Sequence, residues 1–277
     1  MQTLKGGDIN MSDELTPADE FAWKQVVDTI PKSSLEKLCD PICDVVGRGI
    51  AGCFTYIFYK PLEFGIVSKK HFNDLVNGTA DKISKIPKEN IDNSKADQLL
   101  NIIENSKHSI SDDEIRNMYK KIIANTVDNR KNKNINNYFA TVISNLSSES
   151  AEVLRMLYKN EIKWLPYVKV VEFLKSKSDG AMRVISTGNT VNLSEFKKET
   201  NPKVVMMESS INVLESLGII TKSGKSREEN AEEVYLFMRK KLTKEARKAN
   251  FDIDKIEFVE KTINLTELGY EFINICY

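Results

Sequence analysis

Residues 42–67, ICDVVGRGIAGCFTYIFYKPLEFGIV, form the most apolar stretch of the chain, and its uninterrupted part, Gly49 to Tyr59, is only 11 residues long. A membrane-spanning helix needs about 20 apolar residues, and a run this short is more often a buried helix. Gly47, Gly49, Ala51, Gly52 and Cys53 cluster on neighbouring turns, and small residues let helices approach closely. The pattern predicts an apolar, Gly-rich hairpin that is either tightly packed core or a segment meeting a membrane. Gly47, Gly49, Gly52, Phe54, Tyr56 and Phe58 carry that reading. Pro61 is expected to break the helix between the two halves.

Helical periodicity continues downstream. His71 to Ile86 and Ser94 to Ser106 read as helices, the second with Leu99, Ile102 and Ile103 on its apolar face. Ser111-Asp-Asp-Glu114 has the form of a capping box. It precedes Ile115, Met118, Tyr119, Ile122, Ile123 and Thr126, whose spacing marks an amphipathic helix. Asn136 to Leu146 reads likewise, and Ser147 is placed to cap a helix containing Ala151, Leu154 and Leu157.

After Trp164-Leu165-Pro166 the period becomes less regular. Val168 to Leu174 is assigned to a helix, and Arg183–Ser186 and Thr190–Leu193 to strands around a Gly188-Asn189 turn. Asn201-Pro202 reads as an N-cap followed by Pro at the first helical position, opening a helix that Gly218 stops. Ile219–Thr221 and Ile256–Leu265 have strand character, and Thr266 caps a terminal helix, Glu267 to Ile275.

The composition is that of a globular protein: 41% hydrophobic and 29% charged, with 40 basic and 40 acidic side chains that cancel. A zero net charge argues against a general polycation that coats nucleic acid or membrane, though not against local patches. Residues 1–35 are acidic, with a helix expected from Thr16-Pro17 to Asp28. The start of the chain lacks the apolar core of a signal peptide, so a cytoplasmic location is expected. Four cysteines, Cys39, Cys43, Cys53 and Cys276, are too few for a disulfide scaffold and lack a second ligand pair for zinc.

Catalytic patterns are sparse. His71 and His108 stand in no recognisable partner arrangement, and Asp112, Asp113 and Glu114 are accounted for by helix capping and the helix dipole. No phosphate-binding glycine loop, nucleophile elbow or metalloprotease helix is present in the sequence. The chain is therefore expected to be non-enzymatic and to need no cofactor or metal. Two basic regions remain: Lys121, Arg130, Lys131 and Lys133, and the run Arg239 to Lys248. If the latter is helical, Lys240, Lys244, Arg247 and Lys248 share a face suited to nucleic acid or anionic lipid.

One ordered set of motifs resembles a known family. Lys60-Pro61-Leu62-Glu63 ends the apolar segment, and a helix leads to Ile86-Pro87. Ser111-Asp-Asp-Glu-Ile-Arg then runs through Ala124-Asn125, followed by Tyr138-Phe139 and Leu146-Ser147-Ser148-Glu149-Ser150-Ala151. This order, over about residues 38–160 with an echo to the C-terminus, resembles the abortive infection alpha family of bacterial proteins. The resemblance implies phage defence and brings no catalytic residues. The run SSINVLESLGIITK followed by INLTELGYEF resembles a winged-helix domain, with the basic segment inserted between its strands.

The expected architecture is mainly α. An acidic arm (1–35) precedes a helical domain with the apolar hairpin (36–147) and an α+β winged-helix-like domain (148–277). The expected function is a phage-defence effector or sensor, with a phage protein as trigger, a second copy of the chain as partner, and peripheral contact with the inner membrane. A nucleic-acid-binding regulator and an oligomeric scaffold are the alternatives.

Overall fold

The computed structural model describes residues 46–160, 163–174, 181–199, 201–225 and 231–277. The helix expected at Thr16–Asp28 and the cysteines Cys39 and Cys43 lie outside the described residues. The chain divides into two units, Met1–Ala140 and Thr141–Tyr277.

In the first unit, α1 (Val46–Glu63), α2 (Lys69–Ile83), α3 (Ala96–Ser106) and α4 (Asp113–Thr126) follow one another. Helix α4 packs on both α2 and α3, and α1 also lies against both of these. The periodic residues foreseen in the sequence line this core: Leu75, Val76, Ile102, Ile103, Met118, Tyr119 and Ile122 are all buried. The helix does not break at Pro61. It runs through it to Glu63, and the chain reverses over Phe64–Ser68, where Val67 N donates to Pro61 O at 3.1 Å. A proline in the last turn lacks only one of many helix bonds, so the ring is tolerated there. The apolar segment is thus one helix, and the hairpin is made by α1 and α2.

The capping box also differs from expectation. Asp112, not Ser111, caps α4, its carboxylate accepting from Glu114 N at 2.9 Å and Ile115 N at 3.0 Å. A carboxylate at that position gains additionally from the positive end of the helix dipole. Two loops close the far side. Ile91 forms a bridge with Asp128, and Asn132 Nδ2 donates to Asp92 Oδ2 at 2.8 Å. Helix α5 (Tyr138–Ser144) spans the boundary between the units.

The second unit is mixed α and β. Helix α6 (Ser148–Lys159) is capped by Ser147, as the sequence indicates, its hydroxyl accepting from Ser150 N at 3.1 Å. Strands β1 (Trp164–Phe173) and β2 (Met182–Val191) follow, then α7 (Leu193–Phe196), β3 (Val204–Met206), α8 (Glu208–Ser216), β4 (Ile220–Ser223), α9 (Ala231–Lys248), β5 (Ile256–Leu265) and α10 (Glu267–Cys276). The five strands form one sheet in the order β3-β2-β1-β5-β4, each neighbouring pair antiparallel.

Three assignments are corrected here. Val168–Phe173 belong to the central strand, which ends just before Leu174, and not to a helix. Its β-branched residues are buried on both faces of the sheet, which erases the alternation that usually reveals a strand. Gly188 is not a hairpin turn. One strand, β2, passes through it, and the register with β1 slips between Val168 and Val170. Gly188 has φ of 66°, so it forms the bulge of that strand. Finally, Asn201-Pro202 opens no helix: Val204 and Val205 pair with Val191 and Thr190, and the helix starts at Glu208. The order expected further on is present as α8, β4, α9, β5 and α10. Thr266 caps the last of these, its hydroxyl accepting from Gly269 N at 3.0 Å.

Candidate functional site

Helices α2 and α4 meet through charges rather than through apolar contact alone. Arg116, only 6% exposed, donates from Nε to Asp74 Oδ2 at 2.6 Å and from one terminal nitrogen to Ile110 O at 2.6 Å. Its other terminal nitrogen bonds Asp113. Lys120, one turn on, donates to the same Asp74 oxygen at 2.7 Å and to Asn117 Oδ1 at 3.1 Å. Burial by itself raises the Asp74 pKa. The hydrogen bonds from Lys120 and Arg116 outweigh it and hold the carboxyl below its ordinary range. Burial likewise works against the Arg116 charge, and Asp74 and Asp113 more than restore it. With its oxygen committed to two cations, Asp74 is a clamp between helices, not a free base.

Beside this clamp, at the end where α1 turns into α2, lies a cavity of about 90 Å³ lined by Ile66, Ser68, His71, Lys107, His108 and Ser111 among others. It brings together the two histidines of the chain, 37 positions apart in sequence. His71 sits in the first turn of α2, whose N-cap Ser68 accepts from Lys70 N at 3.2 Å. His108 follows the end of α3. No spacing pattern links such residues, since only the packing of α2 and α3 against α4 brings them to one end. Among the described residues, no three His, Cys, Asp or Glu side chains are grouped to hold a metal ion.

The residues singled out in the apolar segment separate. Phe54 and Phe58 are fully buried, and with Phe72 of α2 they form a ring cluster, Phe58 and Phe72 lying 5.1 Å apart. Tyr56 points outward and is exposed. Gly47 falls within α1. A Cβ on Gly49 or Gly52 would meet no described atom within 4 Å, so close helix approach among the described residues is not what these glycines provide. Burial raises the Cys53 thiol pKa and keeps it protonated.

In the second unit the basic run is helical. Val234, Met238 and Leu242 of α9 are buried, and Lys240, Lys244, Arg247 and Lys248 are exposed. Of the other basic region, Arg130 is bound by Asp128 at 2.8 and 2.7 Å, and Lys131 reaches Asn125 Oδ1 at 3.2 Å.

A polar cluster that no sequence motif marks joins α8 to the sheet. Tyr167 OH donates to Glu208 Oε2 at 3.0 Å and lies 2.8 Å from Thr187 Oγ1, while Lys222 Nζ stands 5.4 Å from the Tyr167 ring centre. Lys222 also contacts Glu215 Oε2 and Asn212 Oδ1, both at 2.8 Å. Burial first, and Glu208 after it, raise the Tyr167 pKa, so the phenol stays a neutral donor. Gly188 permits this docking, because a Cβ there would lie 2.4 Å from Glu208 N. On the opposite face, Trp164 stacks on Tyr235 of α9 with ring centres 6.4 Å apart.

No curated protein matches the chain. Among solved structures, an uncharacterized protein from the hydrocarbon-degrading marine bacterium Alcanivorax borkumensis SK2 aligns with 11% identity and a TM-score of 0.28, over 50% of this chain and 91% of that one. The model of the family described as abortive infection alpha matches residues 68–276. That span begins at the cap of α2 and takes in the Asp74–Arg116–Lys120 clamp, both histidines of the cavity and the whole second unit except its end, Tyr277. On that match, the chain belongs to the abortive infection alpha family.

Proposed function

We propose that this protein protects a bacterial population from phage by abortive infection, acting as an effector through binding rather than through a reaction. The family match over residues 68–276 carries the reading. The commitment of the half-exposed Asp74 to the buried cations Arg116 and Lys120 supports a structural use of these groups. In this reading the first unit delivers the harmful step at the host membrane. The second unit, in which helix α9 is inserted between the strands β4 and β5 of a winged-helix-like order, senses or docks on a phage component. No described helix is long and apolar enough to cross a membrane; the contact in this reading is a peripheral one. The apolar face of α1, with Ile50, Phe54, Phe58 and Leu62 buried, is held in reserve for release by a phage signal.

A survival assay at low and high phage input tests the function. Protection at low input with collapse of the culture at high input is expected. Equal survival at both inputs would refute it. Flotation of membranes from infected cells tests the release step: absence of the protein from the membrane fraction before and after infection would remove it.

The exposed basic face of α9 supports a second reading, anion or nucleic-acid binding through Lys240, Lys244, Arg247 and Lys248. Salt-sensitive retention of DNA or RNA, lost when all four become Gln, is the expected result. No binding at low salt would dismiss it.

A further inference from the structure

The turn between α1 and α2 puts two large apolar side chains into solvent. Phe64 N donates to Lys60 O at 2.9 Å, and Gly65, with φ of 67°, reverses the chain. This clasp buries Val67 but leaves Phe64 71% and Ile66 67% exposed, the most exposed large apolar side chains among the described residues of the first unit. Cations surround them. Lys60 lies in the last turn of α1, Lys69 and Lys70 in the first turn of α2, and Lys107 shares the cavity wall with Ile66. Lys69 and Lys70 have no ion-pair partner among the described residues. Lys107 is 3.3 Å from Glu104, and Glu63 is the other acid of this turn. Asp112 and Asp113 follow the cavity-lining Ser111, so the positive excess belongs to the turn itself: across residues 60–70, Lys60, Lys69 and Lys70 stand against Glu63.

We infer that this tip is a lipid-docking foot. Phe64 and Ile66 enter the boundary between headgroups and acyl chains of an anionic bilayer, and the four lysines meet its phosphates. Two side chains projecting from a tight turn cannot bury the roughly 800 Å² per partner of a stable protein interface. A fluid bilayer conforms to such a tip, and apolar insertion combined with lysines at an anionic surface is how peripheral proteins hold to membranes. The charge around the tip therefore selects a negatively charged lipid surface as the occupant. The inference deepens the membrane part of the proposed function and rests on it only for the choice of host membrane.

The test is flotation of the purified full-length chain with vesicles of equal parts phosphatidylglycerol and phosphatidylcholine, and with phosphatidylcholine alone. The chain is expected to float with the anionic vesicles only, and less at high salt. The double variant Phe64→Asp with Ile66→Asp should lower the bound fraction at least about tenfold. Lys69→Glu with Lys70→Glu should do so too. Both pairs should leave the melting temperature unchanged, because the altered side chains are exposed. Failure of the wild type to float, or flotation of Phe64→Asp with Ile66→Asp at the wild-type level, would overturn the foot. So would a dimer in sedimentation that this variant dissociates without any lipid binding, which would make a second copy the occupant. Phage protection by a chain that binds no vesicles would overturn the foot and leave abortive infection standing. Vesicle binding by a chain that gives no protection would establish the foot and remove the defence reading.

Discussion

Gly78 of α2 lies against the stem of Lys120 of α4: a Cβ on Gly78 would come within 2.6 Å of Lys120 Cδ. The missing side chain is what lets the lysine cross α2 and reach Asp74. Two effects oppose each other on substitution. Ala in a helix interior gains about 1 kcal/mol over Gly, and the displaced lysine loses a similar amount of its ion-pair contact. Gly78→Ala should therefore be nearly neutral, whereas Gly78→Val, bulkier and a poor helix former, should cost about 2 kcal/mol. Urea unfolding of the two variants checks this order.

Asp74→Asn leaves two buried cations facing an amide. Breaking a fully buried pair costs about 3–5 kcal/mol, and the partial exposure of Asp74 reduces the expected loss to about 2 kcal/mol. The pH dependence has a definite sign. The folded-state pKa of Asp74 is depressed, so its contribution is present above the unfolded value near about pH 4 and disappears as pH falls through the lower folded value. Thermal melts from neutral to acid pH should show the wild type losing stability in that window more steeply than Asp74→Asn. Parallel melting curves would exclude the clamp as a charged pair.

Gly188→Ala strikes the second unit. It forces a side chain into a backbone with positive φ and against the main chain of Glu208. A loss of about 2–3 kcal/mol is expected, since neither backbone gives way cheaply. The Tyr167 hydrogen bond to Glu208 should loosen with it, read as a rise in quenching of tyrosine fluorescence by iodide.

Phe58→Ala distinguishes a packed α1 from a merely adherent one. Phe58 is fully buried against Phe72, so truncation should cost about 3–4 kcal/mol. Tyr56→Ala, on the exposed side of the same helix, should leave stability nearly unchanged. Equal effects in chemical denaturation would contradict the packing.

Much of the first unit was legible in the sequence. Its helices are amphipathic and separated by polar turns, so Leu99, Ile102, Met118 and Ile122 announce their own burial. Residues 168–173 hide their strand character because β1 is covered on both faces and has no alternation to read. At residues 204–206 a Pro after Asn imitates a helix start, while pairing with β2 decides the outcome. The effect of Pro61 depends on its distance from the helix end, which spacing alone does not give. The candidate site was less legible still. The basic face of α9 followed from simple periodicity, but the meeting of His71 with His108, and of Tyr167 with Glu208, depends on contacts between distant segments that leave no local trace.

The central position of β1 bears on how the second unit comes off the ribosome. One edge of β1 pairs with β2, made immediately afterwards, but the other waits for β5: Trp164 faces Asn264, a hundred positions later. Until that partner emerges, a long apolar strand presents open amide groups to solvent, and pairing across so much chain is slow. A nascent chain stalled or cleaved between β4 and β5 would be adhesive toward its neighbours. Truncated expression of this unit should therefore yield inclusion bodies, and full-length yields should rise at lower growth temperature or with added chaperones.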